Sequence, residues 1–326
     1  MKWYTQYLDD LDEIQDDIQD DLERGPTNSS KKNGKRKPKR SKSDVLAGLA
    51  EETTDAGDSF KPSFGSMTSS GNHLSKHEKE WIMTYLGAFH KDHLISDVMR
   101  RVKGGKEATV YVCQAGTALG TDLVAGKVYH PRAFRNLSND MIYRQGREIM
   151  DGEGRAMRGK REQRAMANKT RFGQELRHMT WLGNEYGIMQ QLHKAGVDLP
   201  QPFAQGENAI LMEYIGDEVS AAPALNQVSL PKGEARQLFD RLIHNVELML
   251  SLDYVHGDLS AYNILYWEGE VKLIDFPQAV NIYVNPHAYP LLVRDVERLC
   301  QYFAKYGITA DAQDLTKTIW ARCIPT

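Results

Sequence analysis

The sequence predicts an α+β protein of two lobes, a small β-rich lobe followed by a short helical one, preceded by an extension that does not fold. Period-two apolar patterns at 108–114 and 122–129 are joined through Gly116 and Gly120, whereas helical periods dominate after about residue 232. Strands come first and helices later, which is the order of a segregated α+β chain. The first 72 residues instead hold opposite charge blocks and little that could form a core.

Within that extension, Trp3, Tyr7, Leu11, Ile14, Ile18 and Leu22 recur at helical spacing among acids such as Asp9, Asp10, Asp16 and Asp20. Residues 1–24 therefore read as an acidic amphipathic segment. It is either a marginal helix that frays alone or a helix that docks on a basic or grooved partner. Residues 25–72 are too poor in apolar side chains to offset their ordering entropy and read as a disordered linker. Its basic run at 31–42, KKNGKRKPKRSK, is a solvated tail or a contact for RNA or another polyanion.

The folded region is placed at 73–326, with an N-lobe to about 215 and a C-lobe from about 216. Ser75 and Glu78 have capping-box spacing ahead of Trp81, Ile82, Tyr85, Leu86 and Phe89, so a helix opens it. The two strands follow, then a strongly basic stretch at 131–178. Its Gly-rich part, 151–159, suits either a mobile element or a solvated surface loop. Helical periodicity resumes at 181–192, a strand is expected at 209–214, and a longer helix at about 232–252. A hairpin is expected at 264–275 around Glu268-Gly269, and the chain from about His287 reads as helical.

At 326 residues and a formal net charge of −3, the chain can build one large or two modest domains and does not favour bulk nucleic-acid binding. No apolar run approaches the roughly 18 residues of a spanning helix, and acids come too early for a signal peptide. Cys113, Cys300 and Cys323 match neither a disulfide framework nor a zinc-ligand spacing. The expectation is a soluble cytoplasmic protein without a membrane partner.

The chemistry is concentrated in His256-Gly257-Asp258-Leu259-Ser260-Ala261-Tyr262-Asn263, followed by a hairpin that ends at Asp275. An acid, an Asn five positions later and a second acid after a hairpin form a phosphoryl-transfer arrangement. Such transfer needs a carboxylate near the acceptor and Mg²⁺ on the phosphates. Asn263 and Asp275 supply the oxygen ligands that a hard cation takes, and Asp258 is then left to accept the hydroxyl proton. The bland alternative, a buried polar turn in which Asp258 caps a helix, does not account for the spacing of all three.

A nucleotide site of this kind also needs a strand Lys, an acid on a helix to hold it and a Gly-bearing turn over the phosphates. These occur in order. Lys127 lies in Val124-Ala125-Gly126-Lys127-Val128-Tyr129, Glu185 lies on the helix at 181–192, and Gly104-Gly105-Lys106-Glu107 precedes Val110-Tyr111. Each alone is unremarkable; their joint order is the signal.

Gly105-Lys106-Glu107-Ala108-x-Val110-Tyr111, the His256–Leu265 tract and Leu273-Ile274-Asp275-Phe276-Pro277-Gln278-Ala279-Val280 together resemble the RIO family of atypical serine/threonine kinases. The similarity runs in order over about 75–310 and includes Pro286-His287-Ala288 and Arg294-Asp295-Val296. It implies a protein-kinase-like fold and an ATP/Mg²⁺-dependent serine/threonine protein kinase acting on a protein or on itself. Lys127 would contact the α/β-phosphates and pair with Glu185, Asp258 would be the catalytic residue, and Asn263 and Asp275 would bind metal. Gly105, Lys106 and Glu107 would belong to the phosphate loop, and backbone groups of Glu213 and Ile215, in Leu211-Met212-Glu213-Tyr214-Ile215, would bind adenine. The family usually has Ser or Gly where Lys103 stands. The resemblance also admits an ATPase switch on a ribosomal or RNA–protein assembly, with phosphate passing transiently to Asp275.

Two other functions compete. A small-molecule phosphotransferase shares the His-Gly-Asp-x-x-x-x-Asn and second-Asp pattern, but the Gly-Lys-Glu-Ala and Asp-Phe-Pro-Gln tracts argue against it. A non-enzymatic scaffold would not require Lys127, Glu185, Asp258, Asn263 and Asp275 together. Phe276-Pro277-Gln278 has no pivot Gly and no Ala-Pro-Glu follows, so peptide recognition is expected to use surfaces other than an activation segment.

Overall fold

The structure, a computed structural model, describes residues 62–63, 76–105, 107–130, 171–231 and 233–324. The acidic segment 1–24, the basic run 31–42, Ser75, Lys106 and the Gly-rich part of the basic stretch lie outside the described residues.

Helix α1 (Lys76–Lys91) buries Ile82, Leu86 and Phe89, spaced by four and three residues as one stripe requires. It lies on a five-stranded antiparallel sheet of β1 (Ile95–Gly104), β2 (Ala108–Ala115), β3 (Leu123–Tyr129), β4 (Pro202–Gln205) and β5 (Ala209–Glu213). The spatial order is β1-β2-β3-β5-β4, and α2 (Arg171–Lys194) connects β3 to β4.

Alternation along β3 divides the sheet into two faces. Val124 and Val128 pack with the α1 stripe and with Tyr111 and Cys113 of β2. Gly126 lies between them, so close to α1 that an added Cβ would sit 3.0 Å from Leu86 Cδ2. Ala125 belongs instead to the core shared with the C-terminal half. Lys127 stands on that second face, which is what aims it at the C-lobe.

Two strands have no period-two signal. In β1 the ladder with β2 shifts register three times, between Ile95 and Asp97, Val98 and Arg100, and Arg101 and Lys103. Each irregularity resets the alternation, so no period-two pattern survives in the sequence. The four-residue β4 opens with Pro202, which an outer strand tolerates. Helix α2 begins at Arg171 rather than near 181, so the end of the basic stretch at 131–178 is helical.

The C-terminal half is built from α3 (Glu234–Ser251), the short strand β6 (Tyr254–Val255), the hairpin β7 (Ile264–Trp267) and β8 (Glu270–Leu273), β9 (Val280–Asn281), α4 (Ala288–Ala304) and α5 (Ala312–Cys323). The hairpin turns at Glu268 (φ 49°) and Gly269 (φ 86°), the paired positive φ values that a two-residue connection prefers. One face of α4 buries Leu291, Leu292, Val296, Leu299 and Phe303, and Phe303 meets Phe239 of α3 edge-on at 5.4 Å. Among the described residues no helix is long and apolar enough to cross a membrane.

The chain passes from β5 into the C-terminal half through Tyr214, Ile215 and Gly216. Arg100 of β1 donates to the Tyr214 hydroxyl at 2.6 Å. Gly216 has φ 140°, and a Cβ there would overlap the Ser220 carbonyl and lie 2.9 Å from Ala221 Cα. Gly216→Ala is expected to destabilise the protein by about 1–3 kcal/mol through strain and overpacking. Urea denaturation checks this, and an unchanged midpoint would show that the passage tolerates a side chain.

Candidate active site

β3 delivers Lys127 to the point where sheet and C-terminal half meet. Its Nζ donates to Glu185 Oε1 at 2.9 Å and to Asp275 Oδ1 at 2.9 Å. Glu185 comes from α2 and is 1% exposed, and its second oxygen accepts from the Tyr129 hydroxyl at 2.6 Å. Tyr129, two residues along β3, shares the face of Lys127, and the ammonium lies 5.2 Å from its ring centroid. Burial alone would lower the Lys127 pKa, but Asp275 and Glu185 outweigh it and hold the ammonium well above its ordinary value. Burial likewise pushes against ionisation of Asp275, yet Lys127 prevails and keeps this carboxyl below its usual range.

Asp275 follows β8 with φ 73°, a left-handed conformation that Asp tolerates better than most residues. Its side chain is 46% exposed. Asn263 lies beside it through the backbone, because the Ile274 N–H donates to the Asn263 carbonyl at 2.9 Å. Asn263 Nδ2 donates to the Asp258 carbonyl at 2.9 Å and to Asp258 Oδ2 at 3.2 Å. The Asn263 amide is thereby turned so that its oxygen remains for another ligand. Asn263 Oδ1 and Asp275 Oδ2 are two hard oxygen donors with no hydrogen-bond partner among the described residues, a set that fits Mg²⁺ shared with phosphate oxygens.

The loop from His256 to Leu259 is fixed by its neighbours. His256 is buried, its ring centroid 4.9 Å from that of Phe276. Its Nε2 lies 3.2 Å from the Ile274 carbonyl, and the Asp258 N–H approaches Nδ1 at 3.4 Å. A neutral ring protonated on Nε2 satisfies both partners, and burial lowers the His256 pKa accordingly. Gly257 has φ 79°, which a glycine adopts freely. From α4, Asp295 accepts the N–H groups of Gly257 at 2.8 Å and Leu259 at 3.0 Å, while Arg294 donates to the Gly257 carbonyl. Arg298, one turn further on, donates to Asp258 Oδ1 at 2.7 Å.

The remaining sequence-predicted residues lie along the sheet. Gly105 closes the β1–β2 turn, its N–H donating to the Ala108 carbonyl at 2.9 Å, and the Glu107 carbonyl accepts from His130 at 2.8 Å. Register places Glu213 opposite Val124 and Ile210 opposite Lys127, so Glu213 lies about 10 Å along the strands from the lysine. The Glu213 N–H is taken by the Gln201 carbonyl and the Ile215 carbonyl by the Ala222 N–H. Among the described residues the Ile215 N–H has no hydrogen-bond partner outside the strands.

Residues 128–315 match the family model of the RIO domain. The chain belongs to the RIO family. It is similar to the RIO-type serine/threonine-protein kinase Rio1 of Thermoplasma acidophilum, at 33% identity over 139 residues, 43% of this chain and 72% of that protein. It is also similar to Rio1 of Haloferax volcanii, at 30% over 220 residues and 66% of each chain. Human serine/threonine-protein kinase RIO1 is 28% identical over 218 residues, 66% of this chain but only 34% of that protein.

Sequence reasoning assigned no role to Tyr129, Arg294, Asp295 or Arg298 of this RIO domain. Asp295 carried a legible signal, a carboxylate at a position where the α4 stripe asks for an apolar residue. Burial pushes its carboxyl up to about 7, against the Gly257 and Leu259 N–H groups that favour the ionised form. The folded state therefore holds this proton more tightly than the unfolded chain, whose Asp titrates near 3.8. That contribution is complete below pH 3.8 and is lost as pH rises through 7. Asp295→Asn leaves one loop N–H poorly paired and should cost about 1–3 kcal/mol. Its deficit against the parent should narrow between pH 4 and 8 in urea denaturation; a deficit independent of pH would contradict the protonation of Asp295.

Proposed function

We propose that this RIO-family chain is an ATP- and Mg²⁺-dependent serine/threonine protein kinase that transfers the γ-phosphoryl group to a hydroxyl of a protein substrate or of itself. The observation that carries this reading is the meeting of Lys127, Glu185 and Asp275 within 2.9 Å bonds, beside an Asp258 held by Asn263. Its catalytic domain spans 73–326, with the lobes divided near 215.

The roles follow from chemistry. Lys127 takes the charge of the α/β-phosphates, and Glu185, itself fixed by Tyr129, positions it. Gly105, Lys106 and Glu107 form the turn over the phosphates, and the Glu213 carbonyl and Ile215 N–H hold adenine. Asn263 and Asp275 hold Mg²⁺, which when bound neutralises charge on the phosphates. Asp258 accepts the proton of the attacking hydroxyl and orients it, while the oxygen–phosphorus bond forms and that to ADP breaks. With water as acceptor the site is an ATPase, the form suited to a switch on a ribosomal or RNA–protein assembly in the cytoplasm. The segment 1–24 would then serve in docking.

The test is to incubate the chain with labelled ATP and Mg²⁺ and follow the phosphate. Label on polypeptide supports kinase activity, label only in inorganic phosphate supports the ATPase form, and label in a soluble metabolite points to a small-molecule phosphotransferase. Asp258→Ala should lower turnover by roughly 10²–10⁴-fold while nucleotide affinity suffers less. An unchanged rate would remove Asp258 from this role.

A further inference from the structure

Helix α4 meets the loop around Asp258 with three polar side chains, and they do different things. Arg294 and Asp295 end on loop backbone and complete its hydrogen bonding. Arg298 ends on the carboxylate itself, at 2.7 Å from Asp258 Oδ1.

The exposure of this pair limits what it can do for the fold. Arg298 is 36% exposed and Asp258 33%. Ion pairs this open to water contribute only about 0–1 kcal/mol to stability. Its effect on geometry is larger. Oδ1 is held by Arg298 from α4 and Oδ2 by Asn263 from the loop's far end. Donors on both oxygens fix the plane of the carboxylate, which a single contact would leave free to turn. The guanidinium is planar and permanently charged, and its helix is packed into the core through Val296 and Leu299.

We propose that Arg298 is a positioning residue for phosphoryl transfer, setting the plane of the Asp258 carboxylate toward the acceptor hydroxyl. This rests on the reading of Asp258 as the proton acceptor. In the step, the acceptor oxygen bonds to the γ-phosphorus, its proton passes to Asp258, and the bond from that phosphorus to the ADP oxygen breaks. Asp258 becomes neutral as it takes the proton, so the guanidinium is released from its ion pair at the moment of transfer.

The test compares the full-length parent with Arg298→Met, Arg298→Lys, Arg298→Ala, Asp258→Asn and the double variant Asp258→Asn/Arg298→Met. Arg298→Met should lower kcat about 10–10²-fold, the scale on which misplacing a reacting group acts. ATP affinity by calorimetry and the urea midpoint should stay at parent values, and Arg298→Lys should recover part of the rate. Millimolar guanidinium should partly restore Arg298→Ala. In the Asp258→Asn background, Arg298→Met should have no further effect, because the two act as a unit. A parent-like or raised kcat in Arg298→Met, or a loss that follows ATP affinity or the urea midpoint, would overturn the proposal. If Asp258→Asn itself kept full rate, the reading of Asp258 would fail first and the proposal with it.

Discussion

One ammonium group sets the terms for the rest of the molecule. Lys127 Nζ is shared between Glu185 and Asp275, which come from α2 and from the end of the β7–β8 hairpin. Removing a charge from water costs several kcal/mol per ion, so the lysine is tolerated at 12% side-chain exposure only because both carboxylates reach it. That requirement fixes the face of β3 on which Lys127 stands, the depth of Glu185 and the left-handed turn at Asp275. Asp275 is 46% exposed, so water screens its half of the contact and it contributes less than a fully buried pair would, but it joins the sheet to the hairpin.

The loop around Asp258 is held on a different principle. Its charges are half-exposed and contribute little to stability, but its backbone is anchored on a helix core. Arg294 and Asp295 satisfy the carbonyl of Gly257 and the N–H groups of Gly257 and Leu259, and His256 ties the loop to the Ile274 carbonyl. The same Ile274 offers its N–H to Asn263. Hairpin, loop and α4 are therefore tied to one another by hydrogen bonds to the loop backbone. Preorganisation of this kind is what phosphoryl transfer asks of a protein, since there is little covalent chemistry to supply.

Much of this was legible in the sequence because local rules and chemistry agreed. Alternation across 122–129 marked a strand carrying Lys127, whose Val124 and Val128 the structure packs against α1, and Glu268-Gly269 marked a turn that only paired positive φ values can close. The spacing of Asp258, Asn263 and Asp275 suggests a phosphoryl-transfer set, and the fold brings the three into one neighbourhood. What remained hidden depended on tertiary context. β1 has no period because its ladder slips three times, and β4 is short and opens on Pro202. Arg298 reads as an ordinary surface residue of α4, since nothing in the helix pattern shows that the chain folds Asp258 against it. Asp295 lies in a tract that the family resemblance includes, but its role stayed hidden because its partners are backbone groups that no side-chain motif records.

We infer that Lys127, Glu185, Asn263 and Asp275 form one site for a magnesium-loaded triphosphate. Calorimetric titration of the protein with a non-hydrolysable ATP analogue, in Mg²⁺ and in chelator, tests it most directly. Tight binding that depends on Mg²⁺ and is lost when Asp275 is replaced by Ala is the expected result. Equal affinity with and without the metal, or an Asp275→Ala variant that binds like the parent, would contradict it.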